Sequence, residues 1–439
     1  GIIPTNKFYQ GVLMKLMKLS LAAAIAVGAL VSSASAVALE EAIKDVDVSG
    51  WAFVRYQASN SDAGGDGTWW KYKAIINAKT KIDDNFFFLA GIRYGAGADK
   101  DNSALSSGGS STSDPQAAGR KFMLNQIYLG YNIGGTTIMA GRYVLGTFFT
   151  ADMYGDGIKI VNTDIQGLTL AALFADALEK DGDAYTLKAG SVFGKDKNKL
   201  VTDHNLYGVA AIGSYDPVSF QLWYAQLQDV AGLFAAEAAL NFKVADDFGI
   251  GVKGQYGFAN VDSEVTENTK GFGGVDAGVT DSTFVGAEAS IKPFGFDLSA
   301  GYVYYKAKDN GLSLSSFEDD GGFINAGEVL VAQQETMSYS GYLGKNDYWF
   351  VKAGYKIPGT GVKLSADYLQ GKFGSLVNGA VDRVEAKEAV ARVNYAYNKH
   401  LDFTTYYSYV KFDDAFNNVF FNKNDEKIQT VRVNARYKF

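Results

Sequence analysis

The chain has 439 residues, with 41 Lys+Arg against 48 Asp+Glu, 2 His, no Cys and a formal charge of −7. Absent cysteine excludes disulfide scaffolds, thiol catalysis and Cys-built zinc sites, and the acidic balance gives no basic footprint for nucleic acid. A mean hydropathy of −0.07 reads at first as an ordinary soluble protein, yet proline is scarce (5 residues) while Tyr and Phe are many (27 and 29).

Lys15 and Lys18 precede the apolar stretch Leu19 to Val31, which runs into Ser32, Ser33, Ala34, Ser35 and Ala36. A basic start, a short apolar core and a small-x-small end describe a secretory signal cleaved after Ala36. The core is too short for a spanning helix, which takes ~20 residues. The expected organisation is upstream sequence over 1–13, a signal over 14–36 and one domain over 37–439. Loss of Lys7, Lys15 and Lys18 takes the formal charge from −7 to −10.

After Val37 the polarity alternates with period two, and no apolar run is long enough for a transmembrane helix. Trp70, Tyr72, Ala74, Ile76 and Ala78 oppose Lys71, Lys73, Asn77 and Lys79; Ala389, Ala391, Val393, Tyr395 and Tyr397 oppose Glu388, Arg392, Asn394 and Asn398. Val431, Val433, Ala435, Tyr437 and Phe439 likewise oppose Thr430, Arg432, Asn434, Arg436 and Lys438. Eighteen such strands are expected, at 46–58, 68–82, 85–95, 120–132, 135–142, 157–163, 167–177, 204–215, 217–228, 229–244, 247–259, 281–292, 294–307, 345–357, 361–371, 384–398, 400–412 and 426–439.

Every second connection is short, as at Asp83-Asp84, Asp216, Asp246 and Asn398-Lys399, whereas the intervening set includes long Gly/Ser/Asp-rich stretches at 96–119, 178–203, 260–280, 308–344, 372–383 and 413–425. Tight turns at one rim and long loops at the other are the pattern of an all-β, transmembrane antiparallel up-and-down barrel of the outer membrane. Lys or Arg facing lipid costs ~2–4 kcal/mol at the midplane, so charges within the strands belong on the lumen side. A soluble β-sandwich would not explain loops that are long on one side only.

Leu39 to Gly50 (LEEAIKDVDVSG), Gly167 to Ala172, Asn205 to Tyr215, Glu388 to Tyr395 and the closing Tyr437-Lys-Phe439 resemble the major outer membrane porins of Campylobacter-type bacteria. The resemblance implies an eighteen-stranded barrel, a homotrimer, and a passive channel for small hydrophilic solutes and ions with a preference for cations. It further implies a loop between strands five and six, Tyr143 to Asp156, that folds inward as the constriction. Asp152 and Asp156 are then the expected carboxylates of the narrowest point, facing some of Arg55, Lys71, Lys73, Arg392, Arg432 and Arg436 on the wall. A ring of lumenal charge of this kind sets which ions enter.

A calcium site is a second implication of the resemblance, mapped onto Asp156, Asp183 and Glu318, with Asp152 as the alternate for Asp156. No other cofactor is implied, and no EF-hand spacing occurs. Phe439 with Tyr437 resembles the terminal signal by which the outer-membrane assembly machinery recognises its barrels. The competing functions are a surface adhesin or structural barrel using the loops at 178–203 and 308–344, and an outer-membrane enzyme. The last is disfavoured: no GxSxG, HExxH or GxxxxGK[ST] occurs, and His204 and His400 fall at opposite rims.

Overall fold

The computed structural model describes residues 46–62, 67–99, 122–150, 153–179, 204–271, 275–317, 321–330, 339–377, 379–413 and 427–439. The expected signal and the residues Asp152, Asp183 and Glu318 lie outside the described residues.

The alternating segments form eighteen strands: β1 (Val46–Ser61), β2 (Gly67–Lys81), β3 (Phe86–Asp99), β4 (Phe122–Ile133), β5 (Thr136–Val144), β6 (Tyr154–Asn162), β7 (Leu168–Glu179), β8 (Leu206–Tyr215), β9 (Val218–Leu227), β10 (Ala231–Ala245), β11 (Phe248–Val261), β12 (Ser282–Pro293), β13 (Phe296–Ala307), β14 (Leu343–Lys356), β15 (Val362–Val377), β16 (Ala380–Ala396), β17 (Leu401–Phe412) and β18 (Lys427–Lys438). Each pairs antiparallel with its neighbours in the chain, and β1 also pairs with β18, which closes the sheet into a barrel. Closure removes the free edge that lipid could not satisfy. One short helix, α1 (Ser263–Thr269), starts at Asp262, whose side chain accepts from the Glu264 amide at 2.8 Å.

Register sorts the side chains into two environments. Val54 of β1 stands between Tyr72 of β2 and Ala435 of β18, and this row is exposed to the outside together with Val431, Val433 and Tyr437. One residue along, Arg55 stands between Lys71 and Asn434 on the lumen side. The same split puts Ile158, Ile160, Tyr302, Val351 and Val393 outside. Period two therefore hides a largely apolar lipid face behind a near-zero mean hydropathy.

One rim carries tight turns. In the first, Asp83 accepts from the amides of Asn85 at 2.8 Å and Phe86 at 2.6 Å, and these bonds hold its carboxyl below the usual carboxylate range. The opposite rim carries the longer connections, with one correction. The stretch 372–383 is not a long loop, because β15 runs on to Val377 and β16 begins at Ala380, with Phe373 opposite Val384 and Leu376 opposite Val381. Its Gly and Ser residues disguised a continuing alternation.

The seam between β1 and β18 is finished by the last residue. The amide of Gly50 donates to the Phe439 carbonyl at 3.1 Å, and the Phe439 amide donates back to Gly50 at 3.0 Å. Gly50 also admits the ring: a Cβ there would stand 2.8 Å from Phe439 Cζ. Tyr437 is exposed on the outer face and stacks on Phe439 with centroids 5.8 Å apart. Deletion of Phe439 is expected to lower the fraction of heat-modifiable, folded barrel in outer-membrane fractions while total chain is unchanged. An equal folded fraction would remove Phe439 from both closure and targeting.

Candidate functional site

The barrel is not empty. The described part of the β5–β6 loop, 145–150 and 153, turns into the lumen: Leu145, Phe148, Phe149 and Met153 are all buried. It is a compact turn, with the Leu145 amide donating to the Met153 carbonyl at 2.9 Å and the Thr147 amide donating to Thr150 Oγ1 at 3.1 Å. An apolar turn is stable there only because a second loop covers it. That partner is the β13–β14 loop, 308–342, whose described part is also largely buried, from Leu312 and Leu314 to Phe323, Ile324 and Leu330. The Gly322 amide donates to the Phe148 carbonyl at 2.7 Å, and the Phe317 amide donates to that of Phe149 at 2.8 Å. Phe148 meets Phe323 edge-on with centroids 4.9 Å apart, and Phe149 meets Phe317 at 6.4 Å. Gly257 of β11 leaves the space for Phe323, whose ring a Cβ would approach to 2.8 Å.

The wall holds the long loop at several points. Tyr305 of β13 lies 5.0 Å from Tyr339 and 5.6 Å from Tyr342, ring centre to centre, and all three are buried. Gln255 of β11 donates to the Gly322 carbonyl at 2.9 Å and accepts from the Ile324 amide at 2.7 Å. Lys352 of β14 donates to the Asn325 carbonyl at 2.5 Å. Arg392 of β16 bonds Glu328 of the loop at 2.5 Å and Asp367 of β15 at 3.1 Å.

The strongest anchor is Glu388 of β16, which is 1% exposed. Its carboxylate accepts from the amides of Glu328, Val329 and Leu330 at 3.1, 2.7 and 3.2 Å, and Ser408 Oγ donates to it at 2.6 Å. Four donors turned on one buried carboxylate replace its water, and bonds to a charged acceptor are among the stronger ones in a protein.

The opposite side of the lumen is basic. Arg55 on β1, Lys71 and Lys73 on β2, Arg93 on β3 and Arg432 and Arg436 on β18 all fall on the inward register. Aromatic faces support them: Arg436 and Lys73 lie over Trp51 at 4.7 and 5.1 Å, and Arg432 lies over Tyr406 at 5.3 Å. Arg432 also donates to Gln57 at 2.8 Å and Arg55 to Asn434 at 3.2 Å. In a ring of eighteen strands, β10 stands directly across from β1 and β12 directly across from β3. Those strands carry the inward carboxylates Glu237 and Glu288, which oppose Gln255 and Lys253 in register. Gln221 and Gln255 donate to the two oxygens of Glu237 at 3.2 and 2.6 Å. Bases thus gather on the β18–β3 wall, whereas on the far wall the carboxylates Glu237 and Glu288 stand together with the inward Lys253 of β11 and Lys352 of β14.

Among the sequence-derived site residues, Arg55, Lys71, Lys73, Arg432 and Arg436 thus share one wall. Arg392 also points inward, but it clamps the β13–β14 loop through Glu328 instead of facing the β5–β6 turn. Asp156 is a correction. β6 begins at Tyr154, so Asp156 belongs to a strand, directly opposite Arg142 and on the same face as Ala140, Ile158 and Ile160, which is the outside of the barrel. Arg142 bonds both its oxygens, at 3.0 and 2.7 Å. A carboxylate so occupied, facing away from the lumen, neither narrows the channel nor offers its oxygens to calcium. Among the described residues no group of three or more His, Cys, Asp or Glu stands close enough to hold a metal ion. His400 lies at the turn-bearing rim, its Nδ1 2.9 Å from the Lys438 carbonyl. Glu388, Gln255, Glu237 and Glu288 were not singled out by the sequence; the signal present was their place on the polar face of their strands.

Two outcomes are expected. Glu388→Ala removes an acceptor whose charged hydrogen bonds are worth ~1.5–3 kcal/mol each; the loop should loosen, and single-channel conductance should rise and become noisier. Asp156→Asn should leave the reversal potential in a salt gradient unchanged, and a shift would return that residue to the constriction.

Against curated proteins the sequence finds no match. The fold matches solved porin structures at low identity. OpdK of Pseudomonas aeruginosa with vanillate aligns at 13% identity and TM-score 0.67, covering 90% of this chain and 99% of that one. OccAB3 of Acinetobacter baumannii aligns at 13% identity and TM-score 0.66, covering 90% and 100%, and OccAB4 of the same species at 14% and 0.64, covering 90% and 98%. Residues 14–439 match the family model described as Campylobacter major outer membrane protein. With nearly the whole sequence matched and a closed eighteen-stranded barrel around a loop-narrowed lumen, the chain belongs to the Campylobacter major outer membrane protein family, porins of the outer membrane.

Proposed function

We propose that the chain is a passive diffusion channel for small hydrophilic solutes, polarised across its lumen and preferring cations. The observation that carries this reading is the division of the interior: two loops pack against one side of the wall, and the basic row on β18, β1, β2 and β3 lines the other. A solute passing between them meets carboxylates and bases on opposed walls, which orients dipolar molecules and slows greasy ones that cannot pay for displaced water. The cation preference rests on Glu237, Glu288 and Glu328, and the basic wall works against it, so the net selectivity is a difference between two opposed surfaces. Calcium, in this reading, would be held without Asp156, by Asp152, Asp183 and Glu318. No hydrolytic role is proposed, because His204 and His400 stand at opposite rims.

The basic wall favours a second reading, the guided uptake of small organic carboxylates. The vanillate carried by OpdK is a molecule of that class. The two readings separate by charge removal in planar bilayers. Glu237→Gln with Glu288→Gln should lower the cation-to-anion permeability ratio, and Arg55→Gln with Lys73→Gln should raise it. Each change should amount to about fivefold, the factor for ~1 kcal/mol between unit charges at contact distance in water. If only the basic variants move the ratio, and carboxylate flux falls with them, the uptake reading replaces the cation channel.

Assembly as a homotrimer is part of the same proposal, and the outward Arg142–Asp156 pair supports a protein-covered face at β5 and β6. Asp156→Leu removes the carboxylate whose two oxygens Arg142 bonds, a loss of ~3–5 kcal/mol where such a pair is covered. The expected result is a lower dissociation temperature of the oligomer on native gels. An unchanged temperature would place that face in lipid or solvent.

A further inference from the structure

Apart from the outward Arg142–Asp156 pair of β5 and β6, most of the outward charge on the described strands gathers in one band, close to the loop-bearing rim and on six adjacent strands. Lys306 of β13 is directly opposite Lys345 of β14. Lys387 of β16 is directly opposite Lys411 of β17, which in turn is directly opposite Lys427 of β18. Lys372 of β15 fills the gap between the two groups, beside Asp347 and Glu385. Like charges directly opposed across a ladder destabilise it, and here three such pairs occur in one band.

The carboxylates nearby do not cancel them. Glu385 and Asp413 bond Lys387 at 3.1 and 3.5 Å, Asp347 bonds Arg383, and Asp62 stands 3.8 Å from Lys427. Lys306, Lys345, Lys372 and Lys411 are exposed, with no carboxylate at ion-pair distance among the described residues. The same rim on β8 to β11 reads Tyr207, Gln226, Gly232 and Asn260 in register, without a charge.

Just below the lysines, on the same face, lies a row of aromatics: Tyr304, Trp349, Tyr368 and Tyr409. Trp349 and Tyr368 have centroids 5.4 Å apart, and Lys345 Nζ lies 5.8 Å from the Tyr304 ring centre. Aromatics of this kind mark the edge of the hydrocarbon. Lysines two to four residues further out therefore sit at the depth of lipid phosphates, where a bound anion would relieve the repulsion between opposed side chains.

We propose that this band is a docking surface for the phosphorylated headgroup of an outer-leaflet glycolipid, its phosphates bridging the opposed lysines and its acyl chains lying on the exposed Val351, Val393 and Val431 wall. The proposal requires only that the barrel sits in the outer membrane, and it is independent of what the lumen passes. A second copy of this chain is the poorer occupant, since it would have to bring its own acidic band.

The test uses the full chain in detergent, with bisphosphorylated lipid A and the same lipid after dephosphorylation as probes. Wild type should bind the phosphorylated form about tenfold or more tightly than the other, as expected for ~1 kcal/mol per lysine engaged near a membrane surface. The variant Lys306→Gln, Lys345→Gln, Lys372→Gln, Lys411→Gln, which spares the ion-paired Lys387, should lose that difference. Without lipid it should unfold at a temperature no lower than wild type, because repelling pairs have been removed, and its channel conductance should be unchanged. Equal affinity for both lipids in wild type, retention of the difference in the variant, displacement by inorganic phosphate at the lipid's own concentration, or cross-linking of these lysines to a second protomer would each overturn the proposal.

Discussion

In hydrocarbon, a backbone N–H or C=O without a partner costs several kcal/mol, and that single constraint organises the protein. It forces β1 onto β18, and with the ring closed, the period of two leaves each strand one face for lipid and one for water. The charged inner face follows from that sorting: Arg55, Lys73 and Glu237 are tolerated because their neighbours at odd spacing, Val54, Tyr72 and Ala238, already satisfy the lipid. An eighteen-stranded ring is also wide enough to leave an open aqueous passage if its loops stay outside.

Narrowing that passage sets a second problem, since a loop placed in a water-filled lumen gains nothing unless it buries apolar surface against something. The β13–β14 loop solves it with Leu312, Phe323, Tyr339 and Tyr342 packed on Phe284 and Tyr305 of the wall, and with Glu388 receiving three consecutive amides that would otherwise lack acceptors. The β5–β6 turn rests on this loop through the carbonyls of Phe148 and Phe149 and on the wall through Lys159 of β6, which donates to the Leu145 carbonyl at 2.8 Å. The anchors of the long loop therefore bear on the shape of the passage.

The strands were readable in the sequence because period two is local, and so were the inward bases, whose side follows from alternation once the apolar face is assigned. Asp156 was not, and the reason is three residues. A strand start at 157 leaves Asp156 in a loop free to turn inward; the observed start at Tyr154 puts it into the ladder, where alternation with Ile158 turns it outward. Length and polarity place the β13–β14 connection among the external loops, although its run of apolar residues already asks for a covering surface. Its contact with Glu388 joins residues about sixty apart in the chain, a distance at which no pattern in a single sequence carries information.

Three consecutive residues of β16 condense the physics of the whole barrel. Lys387 points outward at the rim, where charge costs little. Glu388 points inward and holds a loop that shapes the passage. Ala389 is exposed on the outer face one step deeper, where its row continues through Ala391 to Val393. A slip of one residue in register would exchange these environments at once, placing the carboxylate toward lipid and leaving the amides of 328–330 without their acceptor. The register of β16 is therefore held from both sides, by the lipid that refuses Glu388 and by the loop that requires it.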